Sequence, residues 1–294
     1  MGQGSPGTMG VIGLGRMGLP VAERMQTLGH RVIGFRRTWP DVDSHLERAA
    51  SPRAILEETK VIFTCVPDDT ALLEVIRGDN GLVAGDCTGC VVVDLSMTSL
   101  QSKLEAREHL AAAGAEMLDA PISGSPVVVA NGKASLFVSG PEDAYRQVRP
   151  FLGFAASAPL VGPFGTGSKL KFIANLLIGI HIAAAAEAIA LAERAGLDSE
   201  LVIATISNSV AASEMFRQRA RRMVDRDFDA PMNDINSFLK DVELIQDFAS
   251  QSGATSALFD LSSGLFRSAA ESGLGEKEVA AIVTLLAEGK ESAL

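Results

Sequence analysis

The chain has 294 residues, 47% of them hydrophobic and 21% charged, with a formal net charge of -10. That is enough chain for one large or two smaller cores, and too apolar for general disorder. The acidic balance argues against a nucleic-acid partner, since phosphate-backbone binding draws on clustered Lys and Arg. The opening "MGQGSPGTMG" has neither the basic region nor the apolar run of a secretory leader, and Pro6 stands where a myristoylation signal needs Ser or Thr. A soluble, cytoplasmic protein is expected.

In chain order, short apolar runs come first: "TMGVIG", "RVIGF", "KVIFTCV", "CVVVDLS", "AEMLDAP", "ASLFVSG" and "APLVG". Each has strand length, and most are separated by enough chain for a crossover helix, the pattern of an α/β, doubly wound parallel sheet. The Gly- and Pro-rich "VGPFGTG" ends this region. Beyond it, apolar residues recur at intervals of three and four, predicting a long helix from 168 to 195, closed by Gly196, and further helices over 199–208, 211–225, 234–252, 256–272 and 276–288. The expected domains are therefore 1–163, α/β, and 164–294, all helical. The most apolar stretch, 172–191, contains Asn175, His181 and Glu187 and reads as a buried helix, so no membrane partner is expected.

The first strand runs into "GLGRMG", with Gly13, Gly15 and Gly18 in GxGxxG spacing around Leu14, Arg16 and Met17. The first glycine permits a tight turn, the second a close approach of pyrophosphate, and the third the packing of helix on strand. A dinucleotide site follows. After the second strand, where NAD enzymes commonly carry an acid for the ribose, stand Arg36, Arg37 and Thr38. Guanidinium groups suit a 2′-phosphate, so NADP is expected rather than NAD. The ends of two later strands, with Val66 and Pro67 in "CVPDD" and Ser96 in "DLSMTS", are either ordinary turns or the lining of the same cleft. Cys87 and Cys90 form a lone CxxC without the further ligands a zinc site needs, and read as ordinary thiols; no metal is expected.

"GTGSKLKFIAN" opens the long helix with two lysines. Lys171 and Asn175 are four apart and share a face, whereas Lys169 lies about 120° from Asn175. A lysine and an amide on one face suit proton transfer to a carbonyl oxygen; a solvated lysine and a surface Asn fit the same spacing. "DAPISGSP" places Ser123 and Gly124 at a strand end, either a Ser-Gly turn or a seat for a substrate carboxylate. Lys240 in "FLKD" is either a solvated helical lysine or a further positive charge at the site.

In order and spacing, "GVIGLGRMGLP", "CVPDD", "DLSMTS", "DAPISGS", "GTGSKLKFIAN" and "FLKD" resemble the β-hydroxyacid dehydrogenase family, from about Met9 to about Ala287. The resemblance implies a Rossmann-type domain, a helical domain joined to it by a long helix, and a homodimer or homotetramer. It implies Lys171 as general acid and base with Asn175 as its partner, Ser123 and Gly124 at the substrate, and Lys240 on the cofactor side. The expected activity is interconversion of a small β-hydroxy acid and its semialdehyde or keto form. Rival readings are an imine reductase, which generally carries another residue at the position of Lys171, and a non-catalytic NADP-binding sensor or scaffold.

Three departures stand out. Met97 replaces a hydroxyl residue beside Ser96, leaving Thr98 to supply that contact. Ser125 replaces a glycine, and Val128 and Val129 stand where small residues are usual, which suggests a less polar substrate.

Overall fold

A computed structural model of the protein describes residues 7–39, 46–230 and 232–288; Pro6 lies outside them. The chain packs as two compact units, divided between Lys171 and Phe172.

The first unit opens with β1 (Thr8–Ile12), α1 (Gly18–Thr27) and β2 (Arg31–Phe35), followed by the two-residue β3 (Glu47–Arg48) and β4 (Val61–Thr64). Helix α2 (Asp69–Arg77), β5 (Val91–Asp94), α3 (Leu100–Ala112) and β6 (Glu116–Asp119) complete the alternation. The strands form one parallel sheet in the order β3-β2-β1-β4-β5-β6, the doubly wound, Rossmann arrangement. Their unbroken apolar runs follow from burial on both faces: Val91 and Val93 enter one core layer, while Val92 enters the other.

The runs at 134–140 and 158–162 add no parallel strand to that sheet, contrary to the sequence pattern; Ser139 meets Asp119 of β6 in an isolated antiparallel bridge. Between β7 (Ile122–Ser123) and β8 (Ser135–Leu136) lies only the short α4 (Pro126–Ala130), and the two strands pair antiparallel. That stretch is shorter than the crossover of about a dozen residues a parallel return requires. Val138 and Leu160 meet only in an isolated bridge. Helix α5 (Glu142–Val148) follows, its first turn carrying Glu142 and Asp143 where the helix dipole favours acids.

A charge cluster ties these elements together beneath the carboxyl ends of the strands. β5 and β6 both end in aspartate, and Asp94 is paired in register with Asp119. Lys103 of α3 sits between them, 3.0 Å from Asp94 Oδ2 and 2.8 Å from Asp119 Oδ1, with all three side chains at 0% exposure. Its ammonium also donates to the Ser96 carbonyl at 2.8 Å. Burial alone would lower the pKa of Lys103, but Asp119 and Asp94 outweigh it and hold the ammonium well above the ordinary lysine range.

The second unit consists largely of helix α6 (Thr166–Arg194), which begins in the first unit, and of α7 (Ser199–Ser207), α8 (Glu214–Asp225), α9 (Ile235–Gln251), α10 (Ala257–Ala269) and α11 (Val283–Glu288). Four of these starts are set by caps or their surroundings: Asp198, Ser213 and Asp234 each accept a hydrogen bond from the first turn, and α11 follows a 3-10 turn over Val279–Ile282. Phe238 and Phe266 pack edge to face at 4.8 Å in its core, and Arg219 pairs with the buried Glu278 at 3.3 Å. A Cβ on Gly179 would lie 3.0 Å from both Phe238 and Phe259, so the bare position lets α6 pass close to these rings.

Replacing Lys103 by Met leaves two facing carboxylates in the interior without their cation, which costs about 3–5 kcal/mol. Urea denaturation of Lys103→Met beside the wild type measures this difference. Because folding raises the lysine's pKa, its contribution is complete below the unfolded value of about 10.4 and declines as pH climbs above it. The difference between the two proteins should therefore be constant through neutral pH and shrink only in strong alkali.

Candidate functional site

The turn between β1 and α1 is built by its glycines. Gly13 adopts φ +94°, and a Cβ there would lie 2.1 Å from the Cys65 carbonyl oxygen; one on Gly18 would lie 2.0 Å from the Gly13 carbonyl oxygen. A Cβ on Gly15, by contrast, would have nothing within 4 Å. The first and third glycines close the turn against its own scaffold, while the second leaves its backbone open to a ligand. No side chain caps α1, whose first turn contains no acid. These features fit a pyrophosphate at the helix N-terminus. The Leu14 side chain is buried in the core, so only its backbone faces outward, whereas Arg16 is exposed and Met17 half-buried.

At the end of β2, Arg36 is half-buried and Arg37 and Thr38 are exposed. Among the described residues, neither arginine has an acidic partner. Val66 and Pro67 follow β4; Val66 is 9% exposed, and its N–H donates to Ser96 Oγ at 2.9 Å. Ser96 is buried and its hydroxyl donates to Asp94 Oδ1 at 2.7 Å. It joins the turns after β4 and β5 to each other. Thr98 is 1% exposed, and its hydroxyl has no hydrogen-bond partner among the described residues.

Ser123 is half-buried in β7, and Gly124, exposed, has φ +146°, a conformation that favours glycine. A Cβ on Gly124 would lie 2.9 Å from Val128 Cγ1. Ser125, in place of a second glycine, caps α4. The three valines after it differ: Val129 is wholly buried, Val128 is half-buried, and Val127 is 62% exposed. The apolar surface that the sequence assigned to Val128 and Val129 is thus presented mainly by Val127.

The start of α6 is fastened to the charge cluster. Ser168 donates to both Asp119 oxygens, its N–H to Oδ2 at 2.8 Å and its hydroxyl to Oδ1 at 2.7 Å. The Gly167 N–H donates to Ser139 Oγ at 2.9 Å, and Ser139 in turn donates to Asp119 Oδ2 at 3.1 Å. One turn on, Lys171 is buried at 8% exposure, while Lys169 is exposed. Asn175 follows on the Lys171 face, buried, and donates through Nδ2 to Asp241 Oδ2 at 3.0 Å. Lys240, beside Asp241 in α9, is exposed.

Sequence reasoning missed Lys103, Asp94, Asp119 and Asp241. The two strand-end aspartates carried the available signal, because each directly follows buried apolar strand residues and an acid there needs a counter-charge. Cys87 and Cys90 are buried free thiols. Cys87 donates to the Leu82 carbonyl at 2.9 Å, and burial, with Cys90 next, pushes it up to about 11, so it stays protonated at neutral pH. Among the described residues, no group of three or more His, Cys, Asp or Glu is placed to hold a metal.

Residues 8–162 match the family model of the NAD-binding domain of 6-phosphogluconate dehydrogenase, and residues 165–286 match that of the NAD-binding domain of NADP-dependent 3-hydroxyisobutyrate dehydrogenase. An L-threonate dehydrogenase of Escherichia coli O6:H1 is 31% identical over 97% of this chain and 96% of its own. The structure of a 3-hydroxyisobutyrate dehydrogenase from Salmonella typhimurium superposes with a TM-score of 0.84 at 30% identity, covering 95% of this chain and 99% of that one. A structure of Psf3 in complex with NADP+ and 2-OPP gives 0.85 at 25% identity, over 95% and 99% of the two chains. With a glycine turn shaped for pyrophosphate and both halves of the chain matched in order, this protein belongs to the β-hydroxyacid dehydrogenase family, NAD(P)-dependent oxidoreductases that act on CH–OH groups of small hydroxy acids.

Proposed function

We propose that the protein is an NADP-dependent oxidoreductase that interconverts a small β-hydroxy acid and its semialdehyde or keto form, with Lys171 as the proton-transfer group. The observation that carries this reading is the contrast within one turn of α6: Lys171 is buried on the Asn175 face while Lys169 is exposed. Burying an ammonium is costly, and a solvated surface lysine would not incur that cost.

NADP, when bound, exchanges a hydride with the carbinol or carbonyl carbon. In the reductive direction Lys171 Nζ donates a proton to the carbonyl oxygen; in the oxidative direction it takes the proton from the hydroxyl. Asn175 is a positioning partner, its amide fixed by Asp241. Ser123 and the open backbone at Gly124 are donors for the substrate carboxylate, with Val127 offering an apolar wall beside them. Gly13, Gly15 and Gly18 would hold the pyrophosphate, and Arg36, Arg37 and Thr38 would bind the 2′-phosphate, with Val66 and Pro67 beside them; the family resemblance implies Lys240 as a further cofactor-side cation. The relative named L-threonate dehydrogenase supports a polyhydroxy acid as one candidate substrate.

Two further parts of the reading concern the assembly and its location. Ile173, Leu177, Leu191 and Leu201 are exposed on the helical unit. Such a face supports a homodimer or homotetramer. Free thiols at Cys65, Cys87 and Cys90 fit a reducing, cytoplasmic compartment.

A panel of L-threonate, 3-hydroxyisobutyrate and 2-hydroxy-3-oxopropionate, each with NADP(H) and NAD(H), should show turnover of at least one substrate with a preference for NADP(H). Lys171→Ala should lower kcat by about 100-fold or more while the affinity for NADPH is kept. Near-normal turnover by that variant would remove Lys171 from the chemistry. Gly124→Ala should raise KM, because the new methyl group meets Val128 and the backbone conformation is strained. Steady-state kinetics showing an unchanged KM would take Gly124 out of the substrate seat.

A further inference from the structure

We propose that Arg48, laid on the ring of Trp39, is a third phosphate-binding guanidinium of the cofactor site and helps to set the preference for a 2′-phosphorylated adenosine; this rests on the NADP reading above. No GxGxxG or strand-end motif points to either residue.

Strand β3 contributes only two residues, and they serve opposite purposes. Glu47 forms two hydrogen bonds with Arg31, at 2.8 Å and 2.6 Å. Arg48, the next residue and so on the opposite face of the strand, pairs in register with Gly34 of β2. Its guanidinium carbon lies 4.6 Å from the centre of the Trp39 ring.

The missing side chain at Gly34 lets Leu14 pack over β2 beside the Trp39 ring. A Cβ there would lie 2.5 Å from Leu14 Cδ1 and 3.5 Å from Trp39 Cη2. Leu14 belongs to the glycine turn that receives the pyrophosphate. Gly34, Trp39 and Arg48 thus continue from that turn along the carboxyl ends of β2 and β3, where ligands of open parallel sheets lie.

The net charge of the chain is -10, yet among the described residues Arg36, Arg37 and Arg48 have no acidic partner, whereas Arg31, at the other end of β2, has both Glu47 and Glu58. A guanidinium stacked on an indole keeps its plane fixed while its N–H edge remains available to an anion. Three such groups suit a doubly charged phosphate, and ribose hydroxyls alone give them no counter-charge.

The test is direct binding of adenosine 2′,5′-bisphosphate and of 5′-AMP, measured by calorimetry in the wild type, Arg48→Met, Trp39→Phe and Trp39→Ala. Trp39 is the only tryptophan, so quenching of its emission gives a second readout in the first two. The wild type should prefer the bisphosphate; Arg48→Met should weaken it about tenfold or more and leave 5′-AMP unchanged. Trp39→Phe, which keeps a ring under the guanidinium, should retain most of the affinity, and Trp39→Ala should lose it in the same ligand-selective way. Equal losses for both ligands, or an Arg48→Met affinity within about twofold of wild type, would overturn the assignment of Arg48 to the phosphate. A wild type that binds the two ligands equally would instead remove the NADP reading, and this inference with it.

Discussion

The Lys103 ammonium between Asp94 and Asp119 is the interaction on which the other features of the first unit depend. Two neighbouring parallel strands end in carboxylates at the same level of the sheet, an arrangement that self-repels in a dry interior. One cation offsets both, and the remaining oxygen lone pairs are spent on different turns. Asp94 receives Thr64 and Ser96, and Ser96 holds the Val66 N–H; Asp119 receives Ser168 and Ser139. The turns after β4 and β5 and the start of α6 are therefore registered by one buried group. Asp119 also places a carboxylate at the start of α6, where the helix dipole favours negative charge.

The cofactor side follows a different logic, in which absence of side chains does the shaping. Gly13 and Gly18 let the turn close on itself, Gly15 leaves its surface open, and Gly34 lets Leu14 lie over the second strand. On the proposed NADP reading, the positive charge comes from Arg36, Arg37 and Arg48 rather than from the protein's overall balance, which is strongly acidic. Arginines without acidic partners among the described residues bear more on an anionic ligand than net charge does.

The parallel sheet was legible because strands buried on both faces are written as continuous apolar runs, and the glycine turn because each of its spacings has a steric purpose. Helical phase also separated Lys171 from Lys169, and the structure buries the first and exposes the second. Strand β3 was not legible: two polar residues, Glu47 and Arg48, carry no periodicity. The runs at 134–140 and 158–162 misled for the opposite reason, since apolar content reports burial and says nothing about the direction of pairing. Lys103 was hidden because a helical lysine is ordinarily solvated, and its counter-charges lie on two other elements.

Asp241 fixes the sense in which the Asn175 amide is held. A carboxylate only accepts hydrogen bonds, so the amide must turn its NH2 toward Asp241 Oδ2, and its carbonyl oxygen is thereby fixed on the other side of the plane. On the helix, the residue one turn before Asn175 on the same face is Lys171. The amide then offers its carbonyl oxygen as an acceptor for an ammonium or a hydroxyl, and its second N–H remains a donor. On the proposed reading, that acceptor complements a proton donor at Lys171, where a lysine can lose its proton as well as hold it and an arginine cannot.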